Sequence, residues 1–185
     1  DLTRTVVVGR PSAEQRRIYR AVYEAQQRAI GAVRADIAAD VVDAAARDHL
    51  SSVGLGEVFG HGTGHGLGLD VHDLEDLGDR AGYAPGRTRS SRFGDAYLRL
   101  DRDLEPGMLV TIEPGFYQVP GILADEALTG PLGKDLDRHA LERFRDVRGI
   151  RIEDDVLCTD GEPEVLTADC PKRAGELEAI VRGGW

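Results

Sequence analysis

Residues 59–73, Phe-Gly-His-Gly-Thr-Gly-His-Gly-Leu-Gly-Leu-Asp-Val-His-Asp, restrict the fold of this chain more than any other stretch. Three of the five histidines lie within residues 61–72, interleaved with glycines. An interior glycine weakens a helix or strand by about 0.5–1 kcal/mol relative to alanine. A helix is therefore ruled out here, although the spacing from His61 to His65 would suit one. What remains is an extended, turning segment whose backbone passes close to something while the imidazoles point at it. His61 and His65 are an even number of residues apart and face the same way in an extended chain. His72 has odd spacing from His65, so a turn or bulge at Gly66 or Gly68 must re-aim it if all three converge. Such an arrangement suits a division of labour, in which one histidine ligates and the others handle protons and substrate groups.

Around this stretch the chain reads as one domain of mixed helix and strand. Asp1 to Val8 is rich in β-branched residues and ends at Gly9, which predicts a strand, partly or wholly buried, with Asp1, Thr3 and Thr5 on one face. Ser12 and Gln15 fit a capping box, and Ile18, Val22, Ala25, Ala29 and Val33 form an apolar helical stripe. A second helix is expected from Asp40 to about Leu50, with His49 on its exposed or capping side. Pro106-Gly107 and Pro114-Gly115 predict two turns with a strand between them. A strand over 147–159, a turn at Asp160-Gly161, the segment Val165-Leu166-Thr167 and a helix over 171–181 follow. Segments 76–103 and 119–146 read as insertions. The second ends in a helical patch at 136–144, with His139 on the surface; the first gathers Arg80, Arg87, Arg89 and Arg92 near Tyr83, Phe93 and Tyr97, more as a solvated loop than as an anion site.

Several strand centres carry the wrong residues for a core. Arg151, Glu153 and Asp155 alternate with Ile150, Ile152 and Val156, giving one acidic face and one apolar face, and Glu113 stands between Ile112 and a turn. An unpaired buried carboxylate costs several kcal/mol or is forced to protonate. Arg151 can serve one such group, not Asp1, Glu113 and Glu153 together. A cation can. The set Asp1, His65, Glu113 and Glu153 offers one nitrogen and three carboxylates, which favours manganese, cobalt, iron or zinc over calcium or magnesium. With one more carboxylate it suffices for two divalent ions, and two ions about 3.5–4 Å apart with a bridging hydroxide form a hydrolytic centre.

Composition removes other classes. The net charge of −10 argues against nucleic acid or anionic membrane as partners. No apolar run approaches the ~20 residues that span a bilayer. Cys158 and Cys170 make no disulfide framework and read as free thiols of a reducing, cytoplasmic setting.

The motifs Asp1-Leu-Thr-Arg-Thr, His61-Gly-Thr-Gly-His65-Gly-Leu-Gly-Leu-Asp-Val-His72-Asp, Glu105-Pro-Gly-Met-Leu-Val-Thr-Ile-Glu113-Pro-Gly-Phe-Tyr and Gly149-Ile-Arg151-Ile-Glu153-Asp, in this order, resemble the signatures of the Xaa-Pro aminopeptidase/prolidase family, metallopeptidases of the pita-bread fold. The resemblance implies an α+β architecture, a curved antiparallel sheet with helices on its outer face. It implies hydrolysis of the bond preceding proline by a hydroxide activated by two divalent ions, manganese first, with cobalt, zinc or iron as alternatives. It implies metal ligation by Asp1, His65, Glu113 and Glu153. Glu113 would also act as general base, His61 and His72 would bind substrate and stabilise the tetrahedral intermediate, and Arg151 would support the site or a substrate carboxylate. A homodimer of the full-length protein and a proline-containing peptide substrate follow from the same likeness.

In the family a first aspartate ligand lies one strand upstream of the position of Asp1. The expectation is thus an N-terminally truncated catalytic domain over 1–185, which by itself binds metal weakly and has little activity. A methionine-aminopeptidase-like enzyme of the same fold and a non-catalytic binding module remain as alternatives. Aminopeptidase and dipeptidase specificity stay undivided.

Overall fold

The cap and stripe read at Ser12 do build a helix. In the computed structural model, α1 (Ala13–Ala32) opens with Ser12 accepting from the Gln15 backbone while the Gln15 side chain accepts from the Ser12 backbone. Ile18, Val22, Ala25, Ala29 and Val33 are all fully buried. The structure describes residues 1–92, 94–129 and 147–183. Phe93, the expected helical patch at 136–144 and His139 lie outside them. Among the described residues no helix is long and apolar enough to cross a membrane.

The second helix, α2 (Ala39–Ser52), packs on α1 through Val42, Ala46 and Leu50. Its buried side also takes in Asp43, Arg47 and His49. His49 is therefore not exposed, as its sequence context suggests. It is one helical turn past Ala46 on the side facing α1, and its Nε2 stands 3.3 Å from Glu24 Oε2.

The strands are β1 (Thr3–Arg4), β2 (Gly66–Leu67), β3 (Leu109–Ile112), β4 (Gly115–Tyr117), β5 (Gly149–Leu157) and β6 (Glu164–Val165), joined in one six-stranded antiparallel sheet. The long β5 is its axis. It pairs with β1, β3, β4 and β6, and β2 adds to β3. Short helices α3 (Asp79–Gly82), α4 (Pro120–Ala124) and α5 (Glu126–Thr129) lie between β2 and β5, and α6 (Ala174–Val181) closes the chain. Val110, Ile112, Phe116, Ile150, Ile152 and Val156 join α1 and α2 in one apolar core. Burying each such side chain is worth about 1.5–3 kcal/mol, so the helices are fixed to one face of the sheet.

Two local expectations are corrected. The first strand pairs only over Thr3–Arg4; Val6 is half exposed and Val8 is 95% exposed. The Thr5 hydroxyl explains the early end, since it accepts from Arg151 N and donates to Arg151 O, both at 3.0 Å, taking the backbone groups a longer ladder would use. At Pro106-Gly107 the chain does turn, with Gly107 at φ 94° and Met108 N donating to Glu105 O at 3.0 Å. At Pro114-Gly115 it does not. Proline has no N–H to donate, so the ladder is interrupted between β3 and β4. The register is nevertheless the same on both sides, Ile112 opposite Asp154 and Gly115 opposite Arg151. The chain runs on beside β5, and Glu113 lies opposite Glu153.

The 76–103 segment is held by ion pairs within itself and to α2. Arg89 binds Asp79 and lies 5.1 Å over the Tyr83 ring, and Arg87 binds Asp101 and Asp40. These arginines carry their counterions with them, as a solvated loop requires and an anion site does not.

Candidate metal centre

Residues directly opposed across antiparallel strands point to the same face. The register therefore lays out the face opposite the helices in successive rows. One row holds Thr3 of β1, Glu153 of β5 and Glu113 beyond the end of β3. The next, towards the C-terminal end of β5, holds Asp155, Thr111 and His65. Thr111 is paired with Asp155, and its N–H donates to His65 O at 2.9 Å. Asp1 extends β1 to this row, its backbone nitrogen donating to Asp155 Oδ2 at 2.9 Å. The row on the other side holds Thr5, Arg151 and Gly115. Strand pairing alone thus gathers the scattered residues Asp1, His65, Glu113, Arg151 and Glu153.

Their distances make a site. One ligand atom each from Asp1, His65 and Glu153 lie within 4.8 Å of one another. Glu113 Oε1 is 3.5 Å, and Asp1 Oδ2 3.8 Å, from His65 Nε2. His65 is 2% exposed, Glu153 1% and Glu113 8%, whereas Asp1 sits at the rim. The His65 Nδ1 faces Gly66 O at 3.0 Å. That contact assigns the proton to Nδ1 and leaves the Nε2 lone pair aimed at the carboxylates, the orientation a metal-binding imidazole takes. Arg151 binds Glu113 Oε2 at 3.1 Å, donates to Thr3 Oγ1 at 3.1 Å and lies 3.7 Å from Glu153 Oε2. Thr3 also donates to Glu153 Oε2.

His72 packs edge-on against His65, ring centres 4.3 Å apart, so the turn after Gly68 does bring it back. His61 lies further along, packed between Phe59 and Tyr117 at 5.1 and 5.0 Å. Its Nδ1 meets Gly62 O at 2.6 Å, and its Nε2 is buried with no partner among the described residues. Burial pushes the His61 imidazole down to about 4, helped by Arg151 and Arg47. Burial lowers His65 as well, reinforced by His72. Burial, and then the Glu153 charge, push the Glu113 carboxyl up to about 7 against the pull of Arg151.

The Glu113 shift reports burial beside a second carboxylate that Arg151 and Arg99 offset only in part, whereas the histidine shifts report burial. Asp155 Oδ1, on the same face, is likewise buried without a partner among the described residues. One bare imidazole nitrogen, closely spaced carboxylates and an orphaned carboxylate oxygen fit a divalent cation, whose ligand bonds of about 2.0–2.2 Å bring donor atoms to this kind of separation.

Sequence reading missed the residues that hold these groups. Asp154, on the apolar side of β5, is fully buried among donors from α1, β1 and the segment before α6. Glu75 is 7% exposed and accepts from Gly66 N at 2.5 Å, next to His65. Asp43 and Arg47, four apart on α2, bind the backbone around His61. Their four-residue spacing was the one signal available.

The profile of metallopeptidase family M24 matches residues 1–160. The human Xaa-Pro dipeptidase is 37% identical over 194 residues, which cover 95% of this chain and 38% of that protein. Among solved structures, the Xaa-Pro dipeptidase from Bacillus anthracis superposes with a TM-score of 0.62 at 37% identity, over 93% of this chain and 36% of that one. Aminopeptidase PepP of Pseudomonas aeruginosa gives a TM-score of 0.65 at 29% identity, over 99% and 38%. The chain thus spans less than two fifths of the length of these relatives.

Proposed function

Because this chain belongs to metallopeptidase family M24, we propose that it carries the metal-binding half of an exopeptidase cleaving the bond before proline. The observation that carries the reading is the meeting of Asp1, His65, Glu113 and Glu153 on the open face of the sheet, beside His61, His72 and Arg151. Asp1, His65, Glu113 and Glu153 would hold the ions. When bound, two divalent ions supply Lewis acidity that makes water a nucleophile near neutral pH and polarises the scissile carbonyl.

The chain's own residues do the rest. Glu113 takes a proton on its carboxylate and delivers it to the departing proline nitrogen. Arg151, bound to Glu113 Oε2, keeps that carboxylate facing the pocket. His61 is kept neutral by burial, and its unpartnered Nε2 meets a polar atom of the peptide. His72, against His65, stabilises charge that develops on the carbonyl oxygen. Carboxylates with a single imidazole favour manganese, with cobalt, zinc or iron able to replace it. Both dipeptidases and an aminopeptidase are among its relatives, so the reading takes in dipeptides and longer peptides alike. The same reading includes one catalytic domain with insertions at 76–103 and 119–146, a homodimeric full-length protein and a cytoplasmic location, the last suited to the free thiols of Cys158 and Cys170.

The test is hydrolysis of Ala-Pro, Ala-Pro-Ala and Ala-Ala by the full-length protein, with manganese and after chelation. Metal-dependent cleavage of Ala-Pro in preference to Ala-Ala is expected. Equal cleavage of Ala-Ala, or undiminished activity after chelation, would refute the reading.

A further inference from the structure

The turn that carries His61 is gripped from the helix side by a buried ion pair. Asp43 and Arg47 lie one turn apart on α2, 6% and 9% exposed. Arg47 Nε donates to Asp43 Oδ2 at 3.0 Å. The same guanidinium donates to Phe59 O at 3.1 Å and to His61 O at 3.0 Å, and lies 4.5 Å over the Phe59 ring. Asp43 Oδ1 accepts from Thr63 N at 2.7 Å and Thr63 Oγ1 at 2.8 Å. Alternate residues 59, 61 and 63 are thus all bound by two side chains of one helix. On the other side Glu113 N donates to Thr63 O, tying the turn to the strand row of the metal centre.

A third segment meets the same guanidinium. Asp95 Oδ1 stands 3.0 Å from Arg47 Nε. Gly94, at φ 87°, lets its backbone come this close, because a Cβ there would sit 2.8 Å from Arg47 Nη1 and 2.9 Å from Phe59 O. Stability alone is a poor reason for such a pair, since a buried ion pair is often no better than well-packed apolar residues. Its distinctive property is direction. The planar fork of arginine fixes several acceptors at set angles, which a lysine ammonium cannot do. Beyond its ring contacts with Phe59 and Tyr117, the His61 side chain has only its own Gly62 carbonyl as a polar partner among the described residues, so its aim depends on the backbone of the turn.

Resting on the reading of His61 as a substrate-binding group, we propose that Asp43 and Arg47 are positioning residues. They set the His61 turn for the peptide and couple to it the segment carrying Asp95. Through Arg47, a shift of residues 94–95 moves the backbone that aims His61, so the 76–103 segment tunes substrate grip without touching the metal ligands.

The experiment uses the full-length protein loaded with manganese, as wild type, Arg47→Lys, Asp95→Asn and the double variant. Arg47→Lys is expected to raise the KM for Ala-Pro about tenfold, the scale of one charge-assisted hydrogen bond, with kcat, metal content and the Co(II) absorption spectrum unchanged. Asp95→Asn should raise KM less, and the double variant should fall short of the product of the two effects. Amide hydrogen exchange over 59–63, measured on the metal-free protein, should speed up in both single variants. A wild-type KM in both variants, or a kcat that falls together with metal content, overturns the proposal. So does unchanged exchange over 59–63. Should the wild type cleave no Xaa-Pro peptide, the peptidase reading fails first, and the proposal's substrate role falls with it. The exchange data would still decide whether the pair holds the turn.

Discussion

Replacing Asp154 by asparagine tests the structural account at its most exposed point. The Asp154 carboxylate is fully buried and accepts from Gln26 Nε2, Arg4 Nη2 and Thr167 Oγ1, each at 2.7 Å, and from Lys172 Nζ. Asparagine keeps the shape, removes the charge and turns an NH₂ group towards donors. The Arg4 and Lys172 side chains, 9% and 16% exposed, lose their counterion. Breaking a buried pair by removing one partner costs about 3–5 kcal/mol. Arg4 keeps bonds to the carbonyls of Thr3, Glu153, Cys170 and Pro171, so the lower end, about 3 kcal/mol, applies. Against a usual total of about 5–15 kcal/mol this is a large loss, and it lowers Tm by about 6–12 °C in a chain of this size.

The effect should also carry a pH signature. Burial alone would raise the Asp154 carboxyl, but hydrogen bonds from Lys172, Arg4 and Thr167 together hold it below the usual range. A depressed folded pKa contributes stability that is present above the unfolded value of about 3.9 and is lost as pH falls through the folded value. The gap between wild type and Asp154→Asn should therefore be full at neutral pH and close only below about pH 4. Urea denaturation at a series of pH values measures both quantities. A loss under about 1 kcal/mol at neutral pH, the scale of an exposed pair, would refute the reasoning. A gap that persists unchanged well below pH 4 would refute it too.

Four further outcomes follow from the same geometry. His65→Ala should weaken Co(II) binding, followed by absorption titration, by more than the 10–100-fold that loss of an outer partner costs; intact affinity would remove His65 from the metal centre. Gly64→Ala should cost about 1–3 kcal/mol in thermal denaturation, since a Cβ there would run into the Thr111 carbonyl that lies beside the His65 strand. Arg89→Ala, which breaks an exposed pair with Asp79, should change stability by less than about 1 kcal/mol. Added phosphate should not raise Tm, because the arginines with known partners in this loop are already paired; a clear rise would restore the anion-site reading.

What the sequence made legible was the part governed by period and by motif. The stripe from Ile18 to Val33 has a helical period, and the alternation from Ile150 to Val156 has that of a strand, so both faces of β5 could be named in advance. The residues that meet at the candidate site could be picked out because buried carboxylates and imidazoles are costly on a strand. Asp154 was not, because it obeys the alternation while breaking its chemistry: a carboxylate in an apolar row looks like a loop signal until Gln26, Arg4 and Lys172 arrive from 18 to 150 residues away. His49 was misread for a similar reason, as its burial depends on where α1 lies. The turn expected at Pro114-Gly115 failed because proline interrupts a ladder by lacking a donor, and that local signal does not distinguish a turn from a gap in a continuing strand.

Two neighbouring carboxylates of β5, Glu153 and Asp154, explain how an acidic site can be held on a sheet whose edge strand pairs over only two residues. Glu153 and Asp154 point to opposite faces, and each meets the short β1. On the open face Thr3 donates to Glu153. Behind the sheet Arg4 reaches Asp154, Glu153 O and the carbonyls of Cys170 and Pro171. Only two residues of β1 pair with β5, and a two-residue ladder is a weak tether for a strand that must bring Asp1 towards His65 and Glu153 against like charge. The Thr5 hydroxyl and the Asp1 nitrogen add bonds to β5 at either end of the ladder, and Arg4 adds a charged restraint from the far side. Asp1 is thus held from two sides, by its own bond to Asp155 Oδ2 and through the Arg4 pairing behind the sheet, so the arrangement of carboxylates on one face depends in part on the ion pair buried in the other.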